Sequence, residues 1–492
     1  MKIPNPFCII IFGAHGDLTK RKLIPSLYRL FKNSLISENF FILGCGRKEM
    51  DRRRFLEEMR TAMENLFPHE FDNSTWSVFA EKLYYLSFDF VSTESYVKSL
   101  KETLPSLEKK HQTGGSRIFY LAIPPSVIET VVINLGRAGL SEEREGRAYL
   151  IIEKPLGRDT ESAKKLNSIV RKYFEERQIF RIDHYIAKET IQNIFMFRFA
   201  NAIFEPLWNR KYIDHVQITA TETLGVEHRA GYYEESGVIR DMFQSHILQL
   251  IAIIAMEPPV SFETDRIREE KIKVFRSIRP FTLDRLGEYV AVGQYGKGAI
   301  NGHPVIGYRE ESGVSPISNT PTFAVMKLFV DNWRWNGVPF YLRSGKRLSS
   351  GKAEISIHFK AVPHMMFSKV MDELIEGNVL CFRIQPDEGI TLSFQTKKPG
   401  ALICTKEVMM DFSYEKDLQL DAYEWALLDC MLGDQLLFLR QEGVELTWSL
   451  LTPVLEKLES MENISIYEAG SSGPDEAKLF IERDGRSWRP LE

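Results

Sequence analysis

The sequence predicts two fold classes in one chain: an α/β, Rossmann-like dinucleotide-binding domain, then a larger α+β domain on a mainly antiparallel sheet. Three observations predict this. The first half alternates continuous apolar runs of strand length with stretches of helical periodicity, the pattern of a parallel sheet covered on both faces. A glycine turn, G-A-H-G-D-L at 13–18, follows the first run directly. After Lys188 the chain changes to alternating apolar and polar residues without a helix between each pair of strands, which suits half-buried antiparallel strands. The boundary is expected near residue 180, with domains over 1–180 and 181–492.

The run 7–12, F-C-I-I-I-F, reads as a strand buried on both faces. Gly13 and Gly16 come next, then Leu18, Leu23, Leu27 and Leu30 at three- and four-residue spacings. Strand, glycine turn and helix open a dinucleotide-binding unit, because glycines let backbone N–H groups approach a pyrophosphate at a helix N-terminus. The motif departs from G-x-G-x-x-G and is not a Walker A loop, so a tight turn without a ligand competes with this reading. The second strand, 40–44, ends in Cys45-Gly46-Arg47-Lys48. NAD-preferring sites place an acid here, whereas a basic residue accommodates a 2′-phosphate. Arg47, supported by Lys48, therefore points to NADP, against a merely solvated strand-end arginine.

Further strands are expected at 83–86 (leading into 88–90), 117–123 and 148–153, with helices over about 51–66, 93–109, 126–138 and 159–175. Pro124, Pro125, Lys154 and Pro155 fall at strand carboxyl ends, where ligands of such sheets gather. Lys154 is thus a candidate to reach the crevice, and a cis bond to Pro155 is compatible with that place.

The segment 181–189, R-I-D-H-Y-I-A-K-E, concentrates acid, imidazole, phenol and amine. If it enters a helix, His184 and Lys188 lie four apart on one face and suit a phosphate dianion. Asp183 points to a different side, where it could orient a second imidazole. A polar helix start capped by Asp183 is the competing reading. Beyond it, strands are expected at 216–222, 289–295, 324–330, 338–342, 354–360, 379–385 and 390–396, and a very apolar helix at 238–256. Glu222 ends a strand and Asp241 lies early in that helix, so both could face one cleft. His246 on the same helix reads, by itself, as a hydrogen-bonded core histidine. Arg343 to Arg347 forms a second basic cluster at a strand end.

A chain of 492 residues, 44% apolar and 26% charged, has room for two or three domains with their own cores. A net charge of -4 gives no whole-chain attraction to nucleic acid or membrane, so an anionic ligand needs a local basic patch. There is no apolar run near twenty residues and the N-terminal run is too short for a signal peptide. Cys8, Cys45, Cys381, Cys404 and Cys430 are odd in number and never in a C-x-x-C pair, which suits reduced thiols in a cytoplasm and no zinc site.

At this point the chain resembles the glucose-6-phosphate dehydrogenase family. The matches run in order over nearly its full length: G-A-H-G-D-L-T-K-R-K-L at 13–23, Y-L-A-I-P-P at 120–125, E-K-P-L-G-R-D at 153–159, R-I-D-H-Y-I-A-K-E at 181–189, R-F-A-N at 198–201, G-V-I-R-D-M-F-Q-S-H-I-L-Q at 237–249, A-M-E-P-P at 255–259 and L-R-S-G-K at 342–346. The resemblance implies oxidation of C1 of glucose 6-phosphate, with hydride passing to NADP+, to give the 6-phosphogluconolactone. By motif position it implies His246 as general base, with Asp183 orienting its imidazole. His184 and Lys188 would hold the 6-phosphate with Tyr185 beside them, and Glu222 and Asp241 would bind sugar hydroxyls. Lys154 and Lys346 match substrate-contacting lysines. Gly13, Gly16, Asp17, Lys22 and Arg47, with Lys154, match the coenzyme side. It implies no metal, and at least a dimer (a homodimer or homotetramer) packed through the large sheet. Two departures stand out. Gly351 occupies a position where many relatives place an arginine. Of a structural NADP site found in some relatives, Lys352 and Arg383 survive, but Thr391 and Ser393 replace its tyrosine and lysine. A dehydrogenase of another sugar phosphate and a non-catalytic NADP or sugar-phosphate sensor are the alternative readings.

Overall fold

A computed structural model of the chain describes residues 2–183, 185, 186, 189–364, 366, 376–399, 405–413, 420–461 and 463–491, without the side chains of His228 and Thr405. Among these residues the chain forms two compact units.

The first unit carries a six-stranded sheet: β1 (Phe7–Phe12), β2 (Phe40–Gly46), β3 (Leu83–Ser87), β4 (Arg117–Leu121), β5 (Ala148–Ile152) and β6 (Ile179–Arg181). The order is β3-β2-β1-β4-β5-β6, and every pairing is parallel. β1, β2 and β5 are buried along their whole length, which is why they read as unbroken apolar runs. The expected helices are present, the first and fourth of them fixed by aspartate caps: Asp51 accepts from the Arg54 N–H at 2.8 Å, and Asp159 from the Ser162 N–H at 2.8 Å. Residues 88–90 do not extend β3. Phe88 and Phe90 instead turn inward to meet Phe12 and Tyr96. A helix over Asn73–Glu81, capped by Asp72, was not expected.

The single division at residue 180 is corrected by the structure. The first unit runs to Ala187 and regains Phe262–Arg268 and Gln419–Glu445 from later in the chain. Apolar burial explains the return: Ala426, Leu427, Leu428, Cys430, Met431 and Phe438 join the core cluster of β1 and β2. Charge explains the rest. Arg29 pairs with Glu424 and with Asp421 (3.3 Å), and the buried Arg181 and Arg268 converge on Glu176 at 2.8 and 3.3 Å.

The second unit is built on a ten-stranded mixed sheet: β7 (Ile213–Thr221), β8 (Val290–Ile300), β9 (His303–Val305), β10 (Phe323–Phe329), β11 (Pro339–Gly345), β12 (Ala353–Phe359), β13 (Val379–Gln385), β14 (Gly389–Lys397), β15 (Thr405–Ser413) and β16 (Ser465–Ala469). Its order is β15-β14-β13-β12-β7-β11-β10-β8-β16, with β9 on β8. All pairs are antiparallel except β11 with β7 and β16 with β8. The run Ala230–Ala255 is the one helical stretch, among the described residues, long and apolar enough to cross a membrane by length and composition. The most apolar window in it is 94% buried within the protein, as expected of a core helix.

The last residues strap across this sheet. Arg486 forks onto Asp214 at 2.8 and 3.0 Å, Gln217 donates to the Ser487 carbonyl at 2.8 Å, and Arg343 donates to the Arg489 carbonyl at 2.9 Å. Beneath the strap the cross-strand pair His215 and His358 stacks at 4.1 Å. His215 faces Asp214 at 2.7 Å and the Gln217 amide at 2.9 Å, while His358 meets Ser356 at 3.1 Å, with Arg486 and Arg489 nearby. Burial pushes His358 down to about 3, helped by the neighbouring His215 and Arg489. The folded protein therefore binds fewer protons here than the unfolded chain between that value and an ordinary histidine pKa of about 6.5. Stability is full above the unfolded pKa and falls as pH drops below it, by about 2 kcal/mol from pH 6.5 to 5. His358→Phe keeps a ring in the stack and removes this titration. Its urea midpoint is expected to fall less between pH 7 and 5 than that of the unmodified protein, and equal slopes would show that His358 does not carry the acid sensitivity.

Candidate functional site

In the first unit, candidate residues gather where β1, β2 and β5 end. Gly13 leaves β1 with a φ of +91°, and a Cβ there would lie 2.1 Å from the Ala122 carbonyl oxygen. The turn is closed by Gly13 and Ala14 N–H groups donating to the Cys45 carbonyl (3.0 and 3.1 Å), and by Gly16 N–H donating to Gly13 (2.9 Å). Thr19 Oγ1 donates to the same Gly13 carbonyl at 3.1 Å. Only glycine fits, and the result is a bare strand-to-helix turn, the cradle that a pyrophosphate needs.

Arg47 follows β2 and is exposed; its guanidinium makes no ion pair among the described residues. Its neighbour Lys48 approaches Glu58 at 3.9 Å and gives its carbonyl to the Tyr85 hydroxyl at 2.6 Å. His15, which the motif reading passed over, contacts that same Tyr85 hydroxyl at 2.6 Å and Glu58 at 3.8 Å. Burial lowers its pKa. Asp17 is exposed and pairs with Arg21 at 3.2 Å. Lys22 is placed differently from the glycines: its ammonium lies 3.6 Å from Asp421 and 5.7 Å from the Tyr423 ring, on the returning segment.

Lys154 stands just past β5, and its bond to Pro155 is cis. The preceding Glu153 accepts from the Tyr120 hydroxyl at 2.5 Å. Burial pushes that carboxyl up to about 7, while Tyr120 and Lys154 pull it down and Asp183 pushes it further up. No spacing in the sequence signals this, since the effect arises where two strand ends meet.

Asp183 is buried two residues after β6 and accepts from the Tyr185 N–H at 3.0 Å. The Ile186 N–H donates to the Asp183 carbonyl at 3.3 Å, Tyr185 and Ile186 lie in a turn, and the next described helix is Glu189–Phe199. The expected helical placement of this segment is corrected for Tyr185 and Ile186. His184 and Lys188 lie outside the described residues.

The second unit holds four candidates: Glu222, Lys346 and Asp241 lie around the buried Tyr233, and His246 shares a helical segment with Asp241. β7 and β11 are parallel partners in which Thr221 pairs with Gly345, so Glu222 and Lys346 leave the sheet at the same level. They form an ion pair, with the Lys346 side chain 4% exposed. Their backbones are pinned: Glu222 N–H donates to Gly345 (2.9 Å), Lys346 N–H to Thr322 (3.0 Å), and the Tyr467 hydroxyl to the Lys346 carbonyl (2.6 Å).

Asp241 and His246 ride the long helix after a break at Gly237 (φ 57°, ψ 177°). Over Ile239–Ile247 the turns widen to i→i+5 hydrogen bonding. Residues five apart on an α-helix stand about 140° apart around the axis, whereas such wide turns bring them to within about 50°. Asp241 and His246 are therefore turned toward one side of the helix. Both are buried, and Asp241 accepts from the Tyr232 hydroxyl at 3.3 Å. The next turn is fixed by Gln244 donating to Thr447 at 3.1 Å.

Gly351 lies on the rim of this neighbourhood. A Cβ there would come no nearer than 3.5 Å to any atom (Thr223 N), so the backbone does not require glycine. Lys352 gives its ammonium to the Pro490 carbonyl, and Arg383 pairs with Asp411 at 2.5 Å. Among the described residues no group of three or more His, Cys, Asp or Glu side chains could hold a metal ion.

Set beside known proteins, residues 10–193 match the family model "Glucose-6-phosphate dehydrogenase, NAD binding domain", and residues 195–489 match "Glucose-6-phosphate dehydrogenase, C-terminal domain". The chain is 44% identical to a glucose-6-phosphate 1-dehydrogenase of Chlamydia pneumoniae, covering 99% of this chain and 96% of the relative. It is 42% identical to one of Bacillus subtilis, covering 98% and 97%. Among solved structures, one described as glucose-6-phosphate dehydrogenase in complex with its substrate glucose-6-phosphate superposes with a TM-score of 0.90 at 32% identity over 99% of each chain. A Mycobacterium avium glucose-6-phosphate 1-dehydrogenase gives 0.84 at 32% identity, over 99% of this chain and 98% of its own.

Proposed function

The chain belongs to the glucose-6-phosphate dehydrogenase family, and on that premise we propose how its residues divide the work. The reaction is the oxidation of glucose 6-phosphate at C1 to the 6-phosphogluconolactone. NADP+, when bound, supplies the acceptor for the hydride. The glycine turn fits that coenzyme, because Gly13, held at a φ of +91° against the Ala122 carbonyl, closes a tight strand-to-helix turn that carries no side chain of its own. In this reading Gly13 and Gly16 face the pyrophosphate and Arg47 meets the 2′-phosphate. Asp17, Lys22 and Lys154 also serve the coenzyme side, Lys22 through the edge it shares with Asp421.

The observation that carries the substrate assignment is the gathering of Glu222, Lys346 and Asp241 around Tyr233, with His246 turned to the same side of the helix as Asp241. Loss of hydride from C1 requires the 1-hydroxyl to give up its proton, and an imidazole with an ordinary pKa of about 6.5 suits that task near neutral pH. We assign the proton to His246, with Asp183 as the acid that orients it, by the logic of other acid–histidine pairs. Glu222 and Asp241 accept hydrogen bonds from sugar hydroxyls, and Lys346 and Lys154 donate to the substrate. His184, Lys188 and Tyr185 hold the 6-phosphate.

The large sheet also supports an assembly of at least two copies. Its edge strand β15 exposes Met410 and Phe412 at alternate positions, apolar side chains on one face that a second copy would cover. A cytoplasmic enzyme without nucleic-acid or membrane partners is the matching setting.

One experiment tests the assignment. Purified protein, checked for its mass by sedimentation, is given glucose 6-phosphate with NADP+, then with NAD+, then with plain glucose and NADP+. Absorbance of the reduced nicotinamide should rise rapidly only with the 6-phosphate, and faster with NADP+. Reduction with plain glucose would remove the phosphate-holding residues, equal rates with NAD+ would remove the role given to Arg47, and a monomer would remove the sheet-mediated assembly.

A further inference from the structure

Behind the Glu222–Lys346 pair stands a residue that motif reading gives no task. Tyr233 lies on the helical segment before the Gly237 break and is 1% exposed. Its hydroxyl has no hydrogen-bond partner among the described residues, so its burial is not explained by a polar contact. Its ring, by contrast, is placed where charge is concentrated. The Lys346 ammonium lies 5.1 Å from the ring centroid, inside the distance at which an aromatic face attracts a cation. Tyr308 packs edge-on against Tyr233 at 6.3 Å, and Tyr295 edge-on against Tyr308 at 5.5 Å. The Tyr308 hydroxyl is tied to Glu234 at 2.6 Å, so the ring behind Tyr233 cannot swing away.

Lys346 is a cation with almost no water around it. Burial of an ammonium is costly unless its environment replaces hydration. Glu222 replaces part of it through the ion pair. A long, flexible lysine held by one carboxylate alone would follow that carboxylate, and Glu222 is the more exposed partner, at 36%. A fixed π face on the other side supplies a second anchor that does not move when Glu222 turns to a ligand.

We propose that Tyr233 is a positioning residue for substrate binding: the face of its ring holds the Lys346 ammonium at the end of β11, ready to donate when glucose 6-phosphate engages Glu222. The inference rests on the assignment of Lys346 to the substrate made above. The ring acts through its electron density, so its effect depends on the quadrupole and not on the hydroxyl.

The test varies that density at constant shape. In the full chain, Tyr233 is replaced by phenylalanine and then by phenylalanines carrying one, two and five ring fluorines. The dissociation constant of glucose 6-phosphate is read by titration calorimetry without coenzyme, and thermal melts confirm folding. Affinity is expected to fall stepwise with fluorination, by roughly 2- to 30-fold from phenylalanine to the pentafluoro ring. In a Lys346→Met background the same series is expected to be flat. A series with no trend in the Lys346 protein overturns the proposal, as does an equal trend in the Lys346→Met protein. If Lys346→Met alone leaves affinity unchanged, the substrate assignment of Lys346 fails and takes this inference with it, an outcome distinct from a flat series with a weakened Lys346→Met.

Discussion

Replacing His246 by asparagine is expected to lower kcat by about a thousand-fold or more, within the range reported for loss of a positioned base, while glucose 6-phosphate still binds. The geometry makes this the most sensitive position in the second unit. His246 is 1% exposed, so its imidazole cannot be replaced by a water-borne base from bulk solvent. The wide turns over Ile239–Ile247 aim it to the same side as Asp241, which is itself fixed by the Tyr232 hydroxyl. Asparagine keeps a polar, hydrogen-bonding side chain of modest size but has no group that titrates near neutrality. If His246 takes the proton, the acid limb of the kcat/KM profile disappears along with the rate. If the residue only packs the helix, the variant loses thermal stability but keeps both its rate and that limb. A variant with wild-type kcat would be incompatible with His246 as the base.

That prediction uses both what the residue pattern discloses and what it hides. Strands buried on both faces write themselves as unbroken apolar runs, which is why β1, β2, β4 and β5 are legible. β15 is not. Its run T-K-E-V-M-M-D-F-S alternates poorly because the strand is exposed along most of its length, so no single buried face imposes a period. β6 is too short at three residues, and β16 is recruited in parallel by β8 from more than a hundred residues away. The return of Gln419–Glu445 to the first unit is likewise a long-range fact, fixed by Arg29 and its acids.

The candidate site divides along the same line. Gly13 and Arg47 are read from local motifs, Glu222 and Asp241 from a strand end and a helix start, and the roles of His246 and Lys346 from the family resemblance. Tyr233 and His15, and the raised carboxyl of Glu153, are not: the first two take their meaning from neighbours distant in sequence, Lys346 and Tyr85, and the third from its burial in the fold. At Tyr185 and Ile186, which lie in a turn, the Asp183 carboxylate accepts from the Tyr185 N–H, the side chain–backbone bond that Asp makes at turns and helix starts.

The second large effect is expected at the other unit, from a single methyl group. Gly13→Ala should abolish tight NADP+ binding and destabilise the protein by more than about 3 kcal/mol, the upper end of overpacking costs. Two independent penalties meet there. The backbone holds a φ of +91°, a region that an L side chain rarely adopts. The added Cβ would also sit 2.1 Å from the Ala122 carbonyl oxygen and 2.9 Å from its carbon. These are backbone atoms of the residue just past β4, and no rotamer change can relieve the overlap. Relief requires moving the end of β1 away from β4, which pulls the Gly13 and Ala14 N–H groups off the Cys45 carbonyl and distorts the turn that faces the pyrophosphate. Gly16→Ala provides the internal comparison, since a Cβ there meets its nearest atom, the Gly13 carbonyl oxygen, at 3.1 Å and carries no positive φ. It should melt closer to the unmodified protein. Thermal melts with and without NADP+ read both effects, because a ligand that binds only the folded state raises the melting temperature. Gly13→Ala should melt lower and gain nothing from NADP+. An alanine variant with an unchanged melt and an unchanged NADP+ shift would mean that the turn after β1 is neither as tight as its geometry indicates nor part of the coenzyme's seat.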